Sequence, residues 1–102
     1  MKHVNTVEFD ALLSENKTIL IDFYATWCGP CKMLASVLEE VEPEFPDVEF
    51  VKVDVDECTD LAVRYGVSVI PTLFVIKDGE KAATTKGYMD ADGLRAFVSN
   101  AL

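Results

Sequence analysis

Histidine is almost missing from this chain, cysteine is sparse and basic residues are few, and each shortage removes a class of function. His3 is the one histidine, and Cys28, Cys31 and Cys58 are the three cysteines. A structural zinc site wants four Cys or His ligands. Beside the Cys28/Cys31 pair the chain offers only Cys58 and His3, at unhelpful spacings. An odd cysteine count is also unlike the framework of a small secreted disulfide scaffold. Nine basic against eighteen acidic residues leave a net charge of −9. That balance argues against gripping a nucleic-acid backbone or an anionic membrane surface, and it serves solubility. The apolar run from Ile19 is too short to span a bilayer and carries Asp22. Met1-Lys2-His3-Val4-Asn5 has no apolar segment of the kind a secretion signal needs. Repeats, low-complexity tracts and linkers are absent too. The expectation is one domain over residues 1–102, monomeric and in a reducing cytoplasm, with His3 a surface residue.

What is present alternates strand and helix. Lys2 to Val4 reads as a short edge strand. Asn5 with Glu8 three residues later forms a capping box, opening a helix that buries Phe9, Leu12 and Leu13 and ends near Asn16. Thr18 to Tyr24 is apolar at nearly every position, as a strand covered on both faces should be. A second helix starts near Cys28, carries Leu34, Val37, Leu38 and Val41 at helical spacing, and stops at Pro43. Phe45-Pro46-Asp47 is a turn. Val48 to Val55 is a strand, and Glu57 to Tyr65 a short helix closed by Gly66. Thr72 to Lys77 and Glu80 to Lys86 flank Asp78-Gly79, a tight hairpin signal. Asp90 caps a last helix facing the core with Leu94, Phe97, Val98 and Leu102, though Gly93 weakens it. The class is α/β, with parallel pairing early and an antiparallel hairpin last.

Trp27-Cys28-Gly29-Pro30-Cys31 carries the chemistry. Positions i and i+3 share a helix face with alpha carbons about 5 Å apart, inside the window for a disulfide. A ring this short removes only roughly 2 kcal/mol of unfolded-chain freedom, so its value is chemical rather than structural. Cys28 opens the helix, where unpaired N–H groups and the dipole favour a thiolate. Cys31, one turn further in, should be more buried and less acidic. Cys28 then attacks a partner disulfide, and Cys31 displaces it from the mixed disulfide. Pro30 suits an early helical position and adds no positive charge beside the sulfurs, which points to a reductant. Half of a zinc site is the competing reading of the pair.

Other residues admit two readings. Asp22, mid-run between Ile21 and Phe23, is either a buried acid with a raised pKa that takes the Cys31 proton, or a strand-end acid reaching solvent. Lys52 shares a strand face with Phe50 and Asp54, and either pairs with Asp22 or faces solvent. Pro71 either caps a strand edge or follows a cis bond, and composition does not decide. Trp27 is an apolar platform or a core residue. Gly87 permits close approach of a peptide or is a turn glycine.

Across nearly its whole length the chain resembles the thioredoxin family, whose pattern here is Asp22-Phe23-Tyr24-Ala25-Thr26-Trp27-Cys28 followed by Gly29-Pro30-Cys31. The resemblance implies a mixed five-stranded sheet in the order 1-3-2-4-5 with four helices on both faces. It implies a general protein-disulfide reductase with Cys28 as nucleophile, Cys31 resolving, Asp22 moving protons and Lys52 tuning Asp22. It places a cis-proline at Pro71, and a docking surface of Trp27, Gly29, Pro30, Ile70, Pro71 and Gly87 for disulfide-bearing clients. No cofactor or metal is needed; a flavin-dependent thioredoxin reductase drawing on NADPH recharges the pair, with ferredoxin-linked supply equally compatible with the residues. Three departures stand out. Ser36 occupies the position of the usual helix-kinking proline, Tyr88 and Met89 are bulkier than is common, and Cys58 resembles a cysteine of animal members, either a small apolar residue or a regulatory thiol. A disulfide oxidase or isomerase on the same fold would carry histidine in place of Pro30, and a binding subunit would keep its role without either sulfur.

Overall fold

The capping box at Asn5 forms in the computed structural model, which describes residues 1–102. The Glu8 N–H donates to Asn5 Oδ1 at 2.8 Å and the Asn5 N–H donates to Glu8 Oε1 at 3.0 Å. Two otherwise orphaned donors are satisfied, and helix α1 (Thr6–Ser14) begins. Asn5→Ala should cost the protein about 1 kcal/mol, read as a lower urea midpoint at unchanged m-value.

Strand β2 (Thr18–Tyr24) is the centre of the sheet, buried without a break from Ile19 to Phe23. It pairs in parallel with β3 (Val48–Asp54) and antiparallel with β4 (Thr72–Lys77). Strand β1 (Lys2–His3) lies parallel on β3, and β5 (Glu80–Lys86) antiparallel on β4, giving the order β1-β3-β2-β4-β5. Asp78 and Gly79 both take positive φ, 52° and 80°, as a tight hairpin between twisted strands requires.

Strand alternation sorts the core into two layers. Ile19, Ile21 and Phe23 pack with Phe9 and Leu12 of α1 and with Leu61 of α3 (Thr59–Arg64). Leu20 faces the other way, onto Leu34 and Leu38 of α2 (Gly29–Val41) and Leu94 and Val98 of α4 (Ala91–Ala101). The same alternation turns Asp22 and Lys52 toward α2, because Leu20 and Phe50, two residues before each, lie in that layer.

The second helix does end ahead of Pro43, at Val41 with Glu42 as its C-cap, and the chain passes into a 3₁₀ turn, Glu42–Glu44, that carries Pro43 in its first turn, where the missing N–H breaks no bond. Some expected boundaries move. Helix α3 starts two residues later than Glu57 because Cys58 holds non-helical backbone at its N-cap. Leu13 is only partly covered, and Leu102 is 52% exposed rather than part of the core. Leu102 follows the last helical residue, so it lacks the turn of helix that would aim it inward.

Candidate redox site

Two residues after its last bonded segment, β2 leads into the turn that sets Cys28. The Cys28 N–H donates to the Ala25 carbonyl at 3.3 Å, and Cys28 becomes the N-cap of α2 with extended backbone, φ −92° and ψ 115°. Its Sγ accepts from the Cys31 N–H at 3.2 Å, and its carbonyl accepts from the Lys32 N–H at 3.2 Å. Pro30 stands in the first helical turn. The two sulfurs form the Cys28–Cys31 disulfide, with alpha carbons 5.2 Å apart.

Exposure barely separates the cysteines, at 6% for Cys28 and 3% for Cys31. The asymmetry lies instead in what each sulfur meets. Cys28 Sγ receives an N–H at the positive end of a helix, and both the hydrogen bond and the dipole favour its thiolate.

Trp27 is 70% exposed, which removes core packing as its role. Its Nε1–H donates to Asp56 Oδ2 at 2.8 Å, and the Asp56 N–H in turn donates to Asp54 Oδ1 at 2.8 Å. Asp56 is a site residue that sequence reasoning missed, since nothing local marks one acid of the turn after β3 as an indole partner. Trp27, Val55, Val67, Val69 and Ile70 line an apolar groove of about 240 Å³ beside the disulfide.

The Ile70–Pro71 bond is cis. Thr72 Oγ1 donates to the Val69 carbonyl at 2.6 Å across this corner, and Ile70 packs against Cys28, Cys31 and Ala25. The Gly87 N–H donates to the Pro71 carbonyl at 2.8 Å, tying the end of β5 to the same corner. Gly87 has φ +86°, and a Cβ built on it would meet no atom within 4 Å. Its backbone, not crowding, therefore demands glycine. Gly87→Ala should destabilise by about 1 kcal/mol through backbone strain, seen as a lower melting temperature.

Asp22 is 2% exposed, and its Oδ1 accepts no hydrogen bond from any protein group. Burial pushes its pKa up to about 7, with the Lys52 charge pulling the other way. Lys52 is its register partner on β3. The ammonium does not close on the carboxylate; Lys52 Nζ sits 5.3 Å from the centroid of the Tyr24 ring. Asp22, Lys52, Tyr24 and Cys31 share the wall of one cavity of about 360 Å³. The buried acid and the inner sulfur thus open onto a common space large enough for bridging water.

The departures also find their places. Cys58 is 4% exposed and packs in the α1/α3 layer, as a small apolar residue would. Ser36 lies exposed on an α2 that runs from Gly29 to Val41 without interruption. Tyr88 is exposed, whereas Met89 packs against the α2/α4 layer. His3 is exposed on the edge strand, 3.9 Å from Glu57.

Comparison with known proteins agrees with this geometry. The family model for Thioredoxin matches residues 1–100. Thioredoxin of Bacillus subtilis is 48% identical over 95 residues, covering 92% of this chain and 90% of that protein. Thioredoxin-1 of Saccharomyces cerevisiae is 43% identical over 94 residues, covering 92% and 91%. The X-ray structure of Fasciola hepatica thioredoxin superposes with a TM-score of 0.91 at 36% identity, covering all of both chains. The family keeps its electrons on the cysteine pair and uses no external cofactor. With a helix-capping cysteine, its partner one turn on and a matching fold, the chain belongs to the thioredoxin family and is a thiol–disulfide oxidoreductase that reduces protein disulfides.

Proposed function

We propose that residues 1–102 act as one monomeric domain, a general reductase of the cytoplasm, with a defined division of labour. In the reduced form the Cys28 thiolate attacks a client disulfide. That bond breaks, one client thiolate leaves, and a mixed disulfide forms on Cys28. Cys31 passes its proton to the Asp22 carboxylate, directly or through water in the shared cavity, and its thiolate attacks Cys28 Sγ. The client leaves with both electrons, and the Cys28–Cys31 disulfide remains. Lys52 tunes Asp22 by its nearby positive charge. A flavin-dependent thioredoxin reductase using NADPH restores the dithiol.

Docking falls to Trp27, Gly29, Pro30, Ile70, Pro71 and Gly87. An extended client segment pairs with the Ile70 backbone at the cis corner and lays its side chains along the apolar groove. The odd cysteine count and the reducing character of the pair support a reducing compartment.

The observation that carries this reading is the hydrogen bond from the Cys31 N–H to Cys28 Sγ at a helix N-terminus, which favours the Cys28 thiolate and so supports unequal tasks for the two sulfurs. Equilibration of the pair with glutathione tests it. A reductase should poise near about −270 mV, whereas a value near about −120 mV would make the protein an oxidase.

A further inference from the structure

Tyr24 has no part in the division of labour above, yet it shares a cavity with its two charged members. It ends β2 two residues beyond Asp22 and therefore on the same sheet face. Its side chain is partly buried and lines the cavity that Asp22, Cys31 and Lys52 share. Lys52 is beside Asp22 in the β2–β3 register and would gain a hydrogen bond and a desolvated charge partner by reaching Oδ1. It does not reach it. The ammonium lies over the Tyr24 ring, 5.3 Å from the centroid, within the range of a cation–π contact.

We propose that Tyr24 is a positioning residue for disulfide reduction: its ring holds the Lys52 ammonium and so keeps that charge from closing on Asp22. The inference rests on the reading in which Asp22 takes the Cys31 proton and Lys52 tunes it. An ion pair at full contact would make Asp22 a permanent carboxylate with little appetite for a proton. A lysine held one ring away lends the site some positive potential and leaves Asp22 a competent acceptor near neutral pH.

The surroundings of Tyr24 suit a neutral ring with a cation on its face. Asp54 faces it across β3, Asp22 along β2, Glu57 and Cys58 from the turn that precedes α3, and the His3 ring edge-on from β1 at 6.1 Å. Burial first, and then these acidic neighbours, hold the phenol above its ordinary pKa, so it stays un-ionised through the working range. From α2, Lys32 lines the same cavity.

The test follows the Asp22 carboxyl carbon by NMR titration in the intact protein. Tyr24→Leu should lower the Asp22 midpoint by about one pH unit or more, as Lys52 closes on it. Tyr24→Phe, which keeps the ring, should restore the original midpoint. Lys52→Met should raise the midpoint, and adding Tyr24→Leu to Lys52→Met should then move it no further. A Tyr24→Leu midpoint that stays or rises overturns the proposal, as does an equal shift with and without Lys52. A midpoint indifferent to Lys52→Met sinks the underlying reading that Lys52 tunes Asp22, a separate outcome. Should Tyr24→Leu not fold, the unaltered protein still decides. The Lys52 ε-methylene protons should be displaced upfield by the ring, and ordinary shifts would end the idea.

Discussion

With Cys31 replaced by serine, reduction stops with the client still attached to the protein. Cys28 keeps its place at the N-cap of α2, so attack on a client disulfide proceeds and the mixed disulfide forms. The step that is lost is intramolecular. Cys31 stands one helical turn from Cys28, alpha carbons 5.2 Å apart, and a thiol so placed acts at an effective concentration far above any free thiol in solution. Release must then wait for an external thiol. Insulin reduction should fall on the order of 10³-fold, with a covalent adduct visible on a non-reducing gel. Cys28→Ser should lose activity as fully and show no adduct. An adduct on Cys28→Ser and none on Cys31→Ser would reverse the assigned roles.

The second large effect concerns Asp22. Its carboxyl is held at about 7 in the folded chain against an ordinary 3.8. Below about pH 4 it is protonated whether folded or not, and its burial costs nothing in charge. As pH rises toward 7 the unfolded chain sheds this proton while the folded chain retains it, so stability falls. Above 7 the folded protein carries a buried carboxylate, and the loss is complete at about 4 kcal/mol for a difference of that size. Asp22→Asn removes the charge and keeps the shape. Urea titrations should find variant and parent alike at pH 4 and the variant more stable by about 4 kcal/mol at pH 9. If Asp22 is the acceptor proposed above, the variant should also release reduced client more slowly above pH 7, where the parent's carboxyl is ionised. An equal stability difference at both pH values would show that charge burial is not the cause.

Much of this was legible because it is local. The Asn5–Glu8 cap, the uninterrupted apolar run of β2 and the Asp78-Gly79 turn each depend on neighbours a few residues apart. The Cys28/Cys31 spacing is one helical turn, and a turn is enough to read a disulfide. What stayed hidden depends on which strands lie side by side. The Trp27–Asp56 hydrogen bond spans 29 residues and exists only because β2 and β3 run in parallel and end together. The lodging of Lys52 over Tyr24 needs the same register. The cis state at Pro71 was not in the composition; the family resemblance supplied it. Leu102 departs for the opposite reason: helical spacing points it inward, but the last helix has already ended at Ala101.

The anchoring of Trp27 has an optical consequence. It is the single tryptophan of the chain, and Asp56 tethers its indole beside the disulfide instead of letting it swing free. Ultraviolet emission from this one tethered ring, adjacent in the chain to Cys28, should change as the disulfide opens and closes, which would let oxidation state be followed without dye or label.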